Sequence, residues 1–260
     1  MTRVVSGLAL ALGALTLVWW LTSAQLLAVA VVVAALAFHE YARLARGVGA
    51  PLPYGPALVG TLAACAAMAL PWAHLPSLLA LTLVAVAVSL MAGGQHGAAL
   101  FHGASAGMLA PLYIGLPLGA LVGIHQLAGR EGVLSLIATV AASDTFQFYS
   151  GRAFGRRPLA PTISPKKTIE GAIGGLVLAP LALVVVARWW LPQLPPAGVW
   201  VAGVGIVVAG IAGDLFESAL KRAAGVKDSG ALIPGHDGVL DRIDALLFAA
   251  PLFYLLLRLT

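Results

Sequence analysis

Residues 198–222, GVWVAGVGIVVAGIAGDLFESALKR, decide the fold. No charge interrupts the stretch from Gly198 to Gly213, and then Asp214, Glu217, Lys221 and Arg222 follow within nine positions. An apolar run of this length is the signature of a membrane-crossing helix. It cannot be a lipid-exposed strand, because hydrocarbon offers no partner to free backbone N–H and C=O groups. The rest of the chain is built the same way. Of its 260 residues 60% are hydrophobic and only 10% are charged, against about 25% charged in an ordinary soluble domain.

Runs of spanning length fall at 4–21, 24–42, 56–71, 76–92, 105–124, 132–150, 170–190, 198–217 and 243–258. The expectation is an all-α, polytopic integral membrane protein with about nine transmembrane helices. It forms one membrane domain over 1–260, since no polar region is long enough to fold separately. The 30 glycines and 16 prolines suit close helix packing and kinks inside spans, and turns between them. The single cysteine, Cys65, lies in an apolar run and reads as a core thiol. The first run also has features of a signal peptide, and its removal would leave the sidedness of the rest unchanged.

Nine crossings with a cytoplasmic N-terminus put twelve basic residues inside: Arg3, Arg43, Arg46, Arg152, Arg156, Arg157, Lys166, Lys167, Lys221, Arg222, Lys227 and Arg242. Only Arg130, Arg188 and Arg258 fall outside. This asymmetry follows the positive-inside rule. It predicts a multi-pass cell-membrane protein whose two charged loops face the cytoplasm. The net charge of +5 then reflects topology and anionic headgroups rather than nucleic acid.

Residues 144–170 and 214–244 together hold 17 of the 25 charged side chains. Solvated loops account for the bases but not for the acids, because Asp144 and Asp214 sit inside apolar runs. An ionisable group there is costly and is a functional hypothesis by default. Asp144 is either such a group or a structural partner of Arg152 or another basic side chain. Ser218 follows Asp214 by four residues, and Lys221 and Arg222 follow Ser218 by three and four, so a continuing helix puts them on one face. The competing reading of Ser218 and Lys221 is an interfacial helix end with a snorkelling lysine. Asp241 and Asp244 share a face at the start of the last helix, where carboxylates also suit the helix dipole. Carboxylates converging beside Lys and Arg suggest Mg²⁺ and a phosphate, hence phosphoryl or nucleotidyl transfer. The glycine-rich GALIPGHDG, 230–238, offers backbone N–H groups to phosphate, with His236 as a donor, an acid or a supporting group. No GxxxxGK[ST] is present, which excludes a P-loop.

GDLFESALKRAAGVKDSGALIPGHDGVLDRIDAL, 213–246, closely resembles the C-terminal signature of the phosphatidate cytidylyltransferase (CDP-diacylglycerol synthase) family. The matching residues are Ser218, Lys221-Arg222, Lys227-Asp228, Pro234-Gly235-His236, Gly238, Asp241-Arg242 and Asp244. SDTFQFYSGRAFGRRPLAPTISPKKTIEG, 143–171, resembles the family's second characteristic stretch. The likeness is specific over 143–246. It makes 131–260 the catalytic part and leaves 1–130 as N-terminal helices of generic character. One position departs: Asp237 stands where the family has glycine.

The resemblance implies condensation of CTP with phosphatidic acid to CDP-diacylglycerol and pyrophosphate, with Mg²⁺ and a second, monovalent cation, K⁺. It implies Asp214, Asp241 and Asp244 as metal ligands. Asp214, Ser218, Lys221, Asp241 and Asp244 are the expected catalytic residues. Asp144, Lys166, Lys167, Arg222, Lys227, Asp228, His236 and Arg242 are the expected substrate-binding residues. The expected partners are CTP, phosphatidic acid and the bilayer; nucleic acid is not one, and a homodimer is an allowed assembly. The nearest alternatives are a CDP-archaeol synthase and a polyprenol or phytol kinase. A transporter is a different class, disfavoured because the acids crowd one end of the spans rather than the midplane.

Overall fold

Apolar runs that cannot share their backbone groups with lipid close their hydrogen bonds internally, and helices dominate accordingly. The computed structural model describes residues 13, 16, 18–70, 72–230 and 238–259. In chain order the elements are α1 (Ser23–Gly47), α2 (Tyr54–Ala69), α3 (Leu75–Ala92), α4 (Gly97–Ala110), a π-helical turn (Pro111–Gly115) and α5 (Leu116–Phe154). They are followed by β1 (Pro158–Ala160), β2 (Ser164–Thr168), α6 (Ile169–Trp190), α7 (Pro196–Ala223) and α8 (Leu240–Leu259). Among the described residues the chain is all-α apart from one antiparallel ribbon, β1 on β2, with Pro158 opposite Thr168 and Ala160 opposite Ser164.

Five helical stretches among the described residues are long and apolar enough to cross a membrane: Ser23–Gly47, Leu75–Ala92, Gly97–Phe154, Ile169–Trp190 and Pro196–Ala223. The expected count of nine is therefore not confirmed among the described residues. The run 4–21 lies mostly outside the described residues. The run 56–71 becomes a 16-residue helix, short for a span. The runs 105–124 and 132–150 fall in one helical stretch, broken only at Ala128 and at Gly129, whose φ of 66° favours a residue without a Cβ. The run 243–258 lies in a helix that opens on Asp241, Arg242 and Asp244 and nearly closes on Arg258.

The chain divides into two units, Met1–Gly123 with Leu220–Ile243, and Ile124–Ala219 with Asp244–Thr260. In the first unit α2 packs against α1, α3 and the π-helical turn, and α3 against α4. The core is made largely of small residues, and Ala34, Ala37, Ala57, Cys65 and Ala110 have no exposed surface. Backbones approach closely: a Cβ on Gly115 would overlap the Thr61 carbonyl oxygen. This is the small-residue packing of helices that share an apolar solvent. In the second unit Gly171 of α6 lies on the Gln147 carbonyl of α5, and Gly213 of α7 lies on the Asp244 carbonyl of α8. Neither contact has room for a side chain.

Gly115→Ala should destabilise the protein by about 1–3 kcal/mol, the cost of forcing volume into a packed contact. Gly55→Ala, where a Cβ meets nothing within 4 Å, should not. Thermal unfolding of the detergent-solubilised variants, followed by tryptophan fluorescence, separates the two.

Candidate active site

In the second unit the end of α5, the ribbon and the starts of α6 and α7's charged half build one polar cavity. The chain turns out of α5 at Phe154, and Glu170 in the first turn of α6 accepts the N–H groups of Arg156 (3.0 Å) and Arg157 (3.2 Å). Thr168 caps α6 by accepting the Gly171 N–H at 3.1 Å. These bonds satisfy backbone donors that a helix start and a tight turn leave open. They also fix β2, which carries Lys166 and Lys167.

The cavity is about 540 Å³, within the range of small-ligand sites, and is lined by Asp144, Gln147, Arg152, Lys166, Lys167 and Asp214 among others. Lys167 Nζ pairs with Asp214 Oδ2. Ser218 Oγ, one turn along α7, donates to Asp214 Oδ1 at 3.4 Å. One cavity thus combines two carboxylates, Asp144 and Asp214, with three cationic side chains, Arg152, Lys166 and Lys167. Asp144 and Arg152 both line it. Asp244, also in this unit, accepts the N–H of Ala245 at 2.7 Å through Oδ1.

The first unit holds a second charged cluster. Lys221 Nζ pairs with Asp241 Oδ1. Asp241 Oδ2 accepts three further hydrogen bonds, from Ser229 N at 2.9 Å, Ser229 Oγ at 2.6 Å and Gly238 N at 2.8 Å. Both side chains are largely buried, 11% exposed for Lys221 and 8% for Asp241. Burial pushes the Asp241 carboxyl up, but the Lys221 ammonium and the Ser229 donors outweigh it and bring the pKa down to about 2. Asp241 is therefore ionised at neutral pH.

A residue outside both charged windows completes this cluster. Glu40 of α1 has no exposed surface. It accepts Val239 N at 3.0 Å through Oε1, and Leu240 N at 2.8 Å and Ser229 Oγ at 3.1 Å through Oε2. A Cβ on Gly230 or Gly238 would overlap its carboxylate. The sequence carried a signal for it, an acid inside the apolar run 24–42, the same kind of signal that singled out Asp144 and Asp214.

The remaining expected residues are placed more simply. Arg222 is exposed and donates to the Val226 carbonyl at 3.1 Å; Lys227, Asp228 and Arg242 are exposed. His236 and Asp237 lie outside the described residues. Among the described residues no three His, Cys, Asp or Glu side chains gather to hold a metal ion. The donor chemistry that suits Mg²⁺ is the Asp144–Asp214 pair, since this ion is commonly held by one or two carboxylates plus substrate phosphates. At Asp241 both oxygens are already engaged by protein donors.

Asp241→Asn removes the carboxylate facing the buried Lys221 ammonium and should cost about 3–5 kcal/mol of stability. Lys221→Met should cost less, because Asp241 keeps the donors of Ser229 and Gly238. Thermal melts in detergent test this order, and equal losses would refute it.

A model of the cytidylyltransferase family matches the chain over residues 1–260. The phosphatidate cytidylyltransferase of Bacillus subtilis (strain 168) is 39% identical over 155 residues, covering 58% of this chain and 57% of the relative. That of Helicobacter pylori (strain 26695) is 42% identical over 142 residues, covering 54% and 52%. An Escherichia coli (strain K12) protein described as "Uncharacterized protein YnbB" is 43% identical over 126 residues, covering 48% and 42%. The chain spans about half the length of the curated relatives it matches.

Proposed function

Because the chain belongs to the cytidylyltransferase family, we propose that it transfers the CMP moiety of CTP to phosphatidic acid, giving CDP-diacylglycerol and pyrophosphate at the cytoplasmic face of the membrane. The observation that carries this reading is the cavity in which Asp144 and Asp214 face Arg152, Lys166 and Lys167. Such a set suits a polyphosphate and its cation. The names of the relatives supply the lipid acceptor, and the twelve-to-three distribution of basic residues supplies the sidedness.

A phosphate oxygen of phosphatidate attacks the α-phosphorus of CTP. The new P–O bond forms as the bond from the α-phosphorus to the bridging oxygen breaks, and its electron pair leaves with pyrophosphate. The lipid phosphate is already an anion, so no side chain has to act as nucleophile. Lys166, Lys167 and Arg152 hold phosphate oxygens and offset charge that collects on the departing pyrophosphate. Asp214 holds Lys167 in place, and Ser218 holds Asp214. Mg²⁺, when bound by Asp214 and Asp144, supplies further neutralisation of the phosphate oxygens. In the first unit Lys221, Arg222, Lys227 and Arg242 are phosphate-binding candidates of the same chemistry, with Asp241 and Asp228 as their acidic neighbours.

The test is an assay of the purified chain in lipid nanodiscs with α-labelled CTP and phosphatidate, with and without Mg²⁺. Labelled CDP-diacylglycerol and an equal amount of pyrophosphate should appear only with Mg²⁺. Asp214→Asn and Lys167→Met should each lower turnover by about 10²-fold without unfolding the protein. If no CDP-diacylglycerol forms and CDP is released with a lipid alcohol instead, the protein is a CTP-dependent kinase and the proposal fails.

A further inference from the structure

We infer that Glu40 is a positioning residue for this reaction, acting on the Lys221–Asp241 pair through the first turn of α8. The inference rests on the cytidylyltransferase reading above. Its ground is a continuous set of bonds inside the first unit. Glu40 holds Val239 N and Leu240 N, the two donors that immediately precede Asp241 in the chain. It also touches Ser229 Oγ, whose other contact is Asp241 Oδ2. Asp241 in turn faces Lys221.

Three features distinguish Glu40 from an ordinary buried acid. First, its carboxylate takes the place of a local capping side chain. The donors at a helix start are usually met by Ser, Thr, Asp or Asn next to it, whereas this acceptor comes from 199 and 200 positions away. Second, the loop is shaped to admit it: Gly230 and Gly238 both leave space that a Cβ would fill with overlap. Third, the Ser229 hydroxyl has one proton for two carboxylates. The 2.6 Å contact to Asp241 is shorter than the 3.1 Å contact to Glu40, so the proton lies mainly toward Asp241 and is shared only in part with Glu40. Glu40 therefore steers Asp241 chiefly through the backbone of Val239 and Leu240. A carboxylate accepts at both oxygens, while an amide would turn donors toward one of these N–H groups.

Two measurements on the full chain in nanodiscs test this, one of them independent of activity. Glu40→Gln should speed amide hydrogen exchange at residues 238–241 by about 10-fold or more, as the first turn of α8 loses its acceptor, and leave α6 and α7 unchanged. Per folded molecule, kcat should fall about 10–100-fold, the size of loss that a displacement of about 1 Å in a positioned group can cause, while KM for CTP stays within about 3-fold. Glu40→Asp, which keeps the charge, should recover part of the loss. Unchanged exchange at 238–241, or an unchanged kcat per folded molecule, would overturn the inference. So would accelerated exchange throughout the chain, which marks a purely structural role. A wild-type protein that makes no CDP-diacylglycerol would instead sink the proposed function, and the exchange arm alone would then decide whether Glu40 governs this turn.

Discussion

A buried carboxylate must recover what it loses in leaving water, and in the first unit Glu40 does so with the backbone N–H groups of Val239 and Leu240 and a contact to Ser229. That requirement organises the surroundings. It makes glycine the fitting residue at 230 and 238, sets where α8 begins, and places Asp241 next to donors that keep it ionised beside Lys221. An apolar side chain at position 40 would leave both backbone donors at a helix start without their acceptor, at a cost of about 1–3 kcal/mol each if they stayed dry. The acid is therefore less a local charge than the point that ties Ser229 and the first turn of α8 to α1.

The second unit solves a different problem, that of holding cations and anions together at the end of apolar helices. Its means are close backbone contact and capping. Gly171 against the Gln147 carbonyl and Gly213 against the Asp244 carbonyl bring helices together without intervening side chains. Glu170 and Thr168 tie the ribbon to α6. The outcome is that Lys167, on a short strand, reaches Asp214, on a helix. Where helices have no hydrophobic drive to associate, such contacts are a main source of cohesion. The precision of the polar cavity thus depends as much on glycine contacts and backbone hydrogen bonds as on its charged lining.

Much of the helical layout was legible from hydropathy alone. The runs 24–42, 76–92, 170–190 and 198–217 correspond to Ser23–Gly47, Leu75–Ala92, Ile169–Trp190 and Pro196–Ala223, because apolar length and the need to satisfy the backbone leave a chain little choice. The interruptions were less legible. Proline at 111 lacks an N–H and opens a π-helical turn instead of ending the helix. Gly129 absorbs a break in two residues where a loop was the simpler reading. For the site, acids within apolar runs pointed to Asp144 and Asp214, which share a cavity with Lys166 and Lys167. Which base meets which acid was not legible, since Lys167 and Asp214 are joined only by the way α6 and α7 return. Glu40 carried the same signal, an acid inside an apolar run, but its partners are chiefly the backbone N–H groups of Val239 and Leu240, which any sequence supplies and no motif marks.

The separation between Glu40 and its partners also bears on how the protein is made. A ribosome adds about 5–20 residues per second, so the 199 positions between Glu40 and Val239 take about 10–40 s to synthesise. Through that interval α1 exists with an acid whose final acceptor role has no donors to fill it. Water, lipid headgroups or the insertion machinery must accommodate the carboxylate in the meantime. The first unit can close only after Val239 and Leu240 have emerged, so the completion of its charged cluster trails the synthesis of α1 by that whole interval.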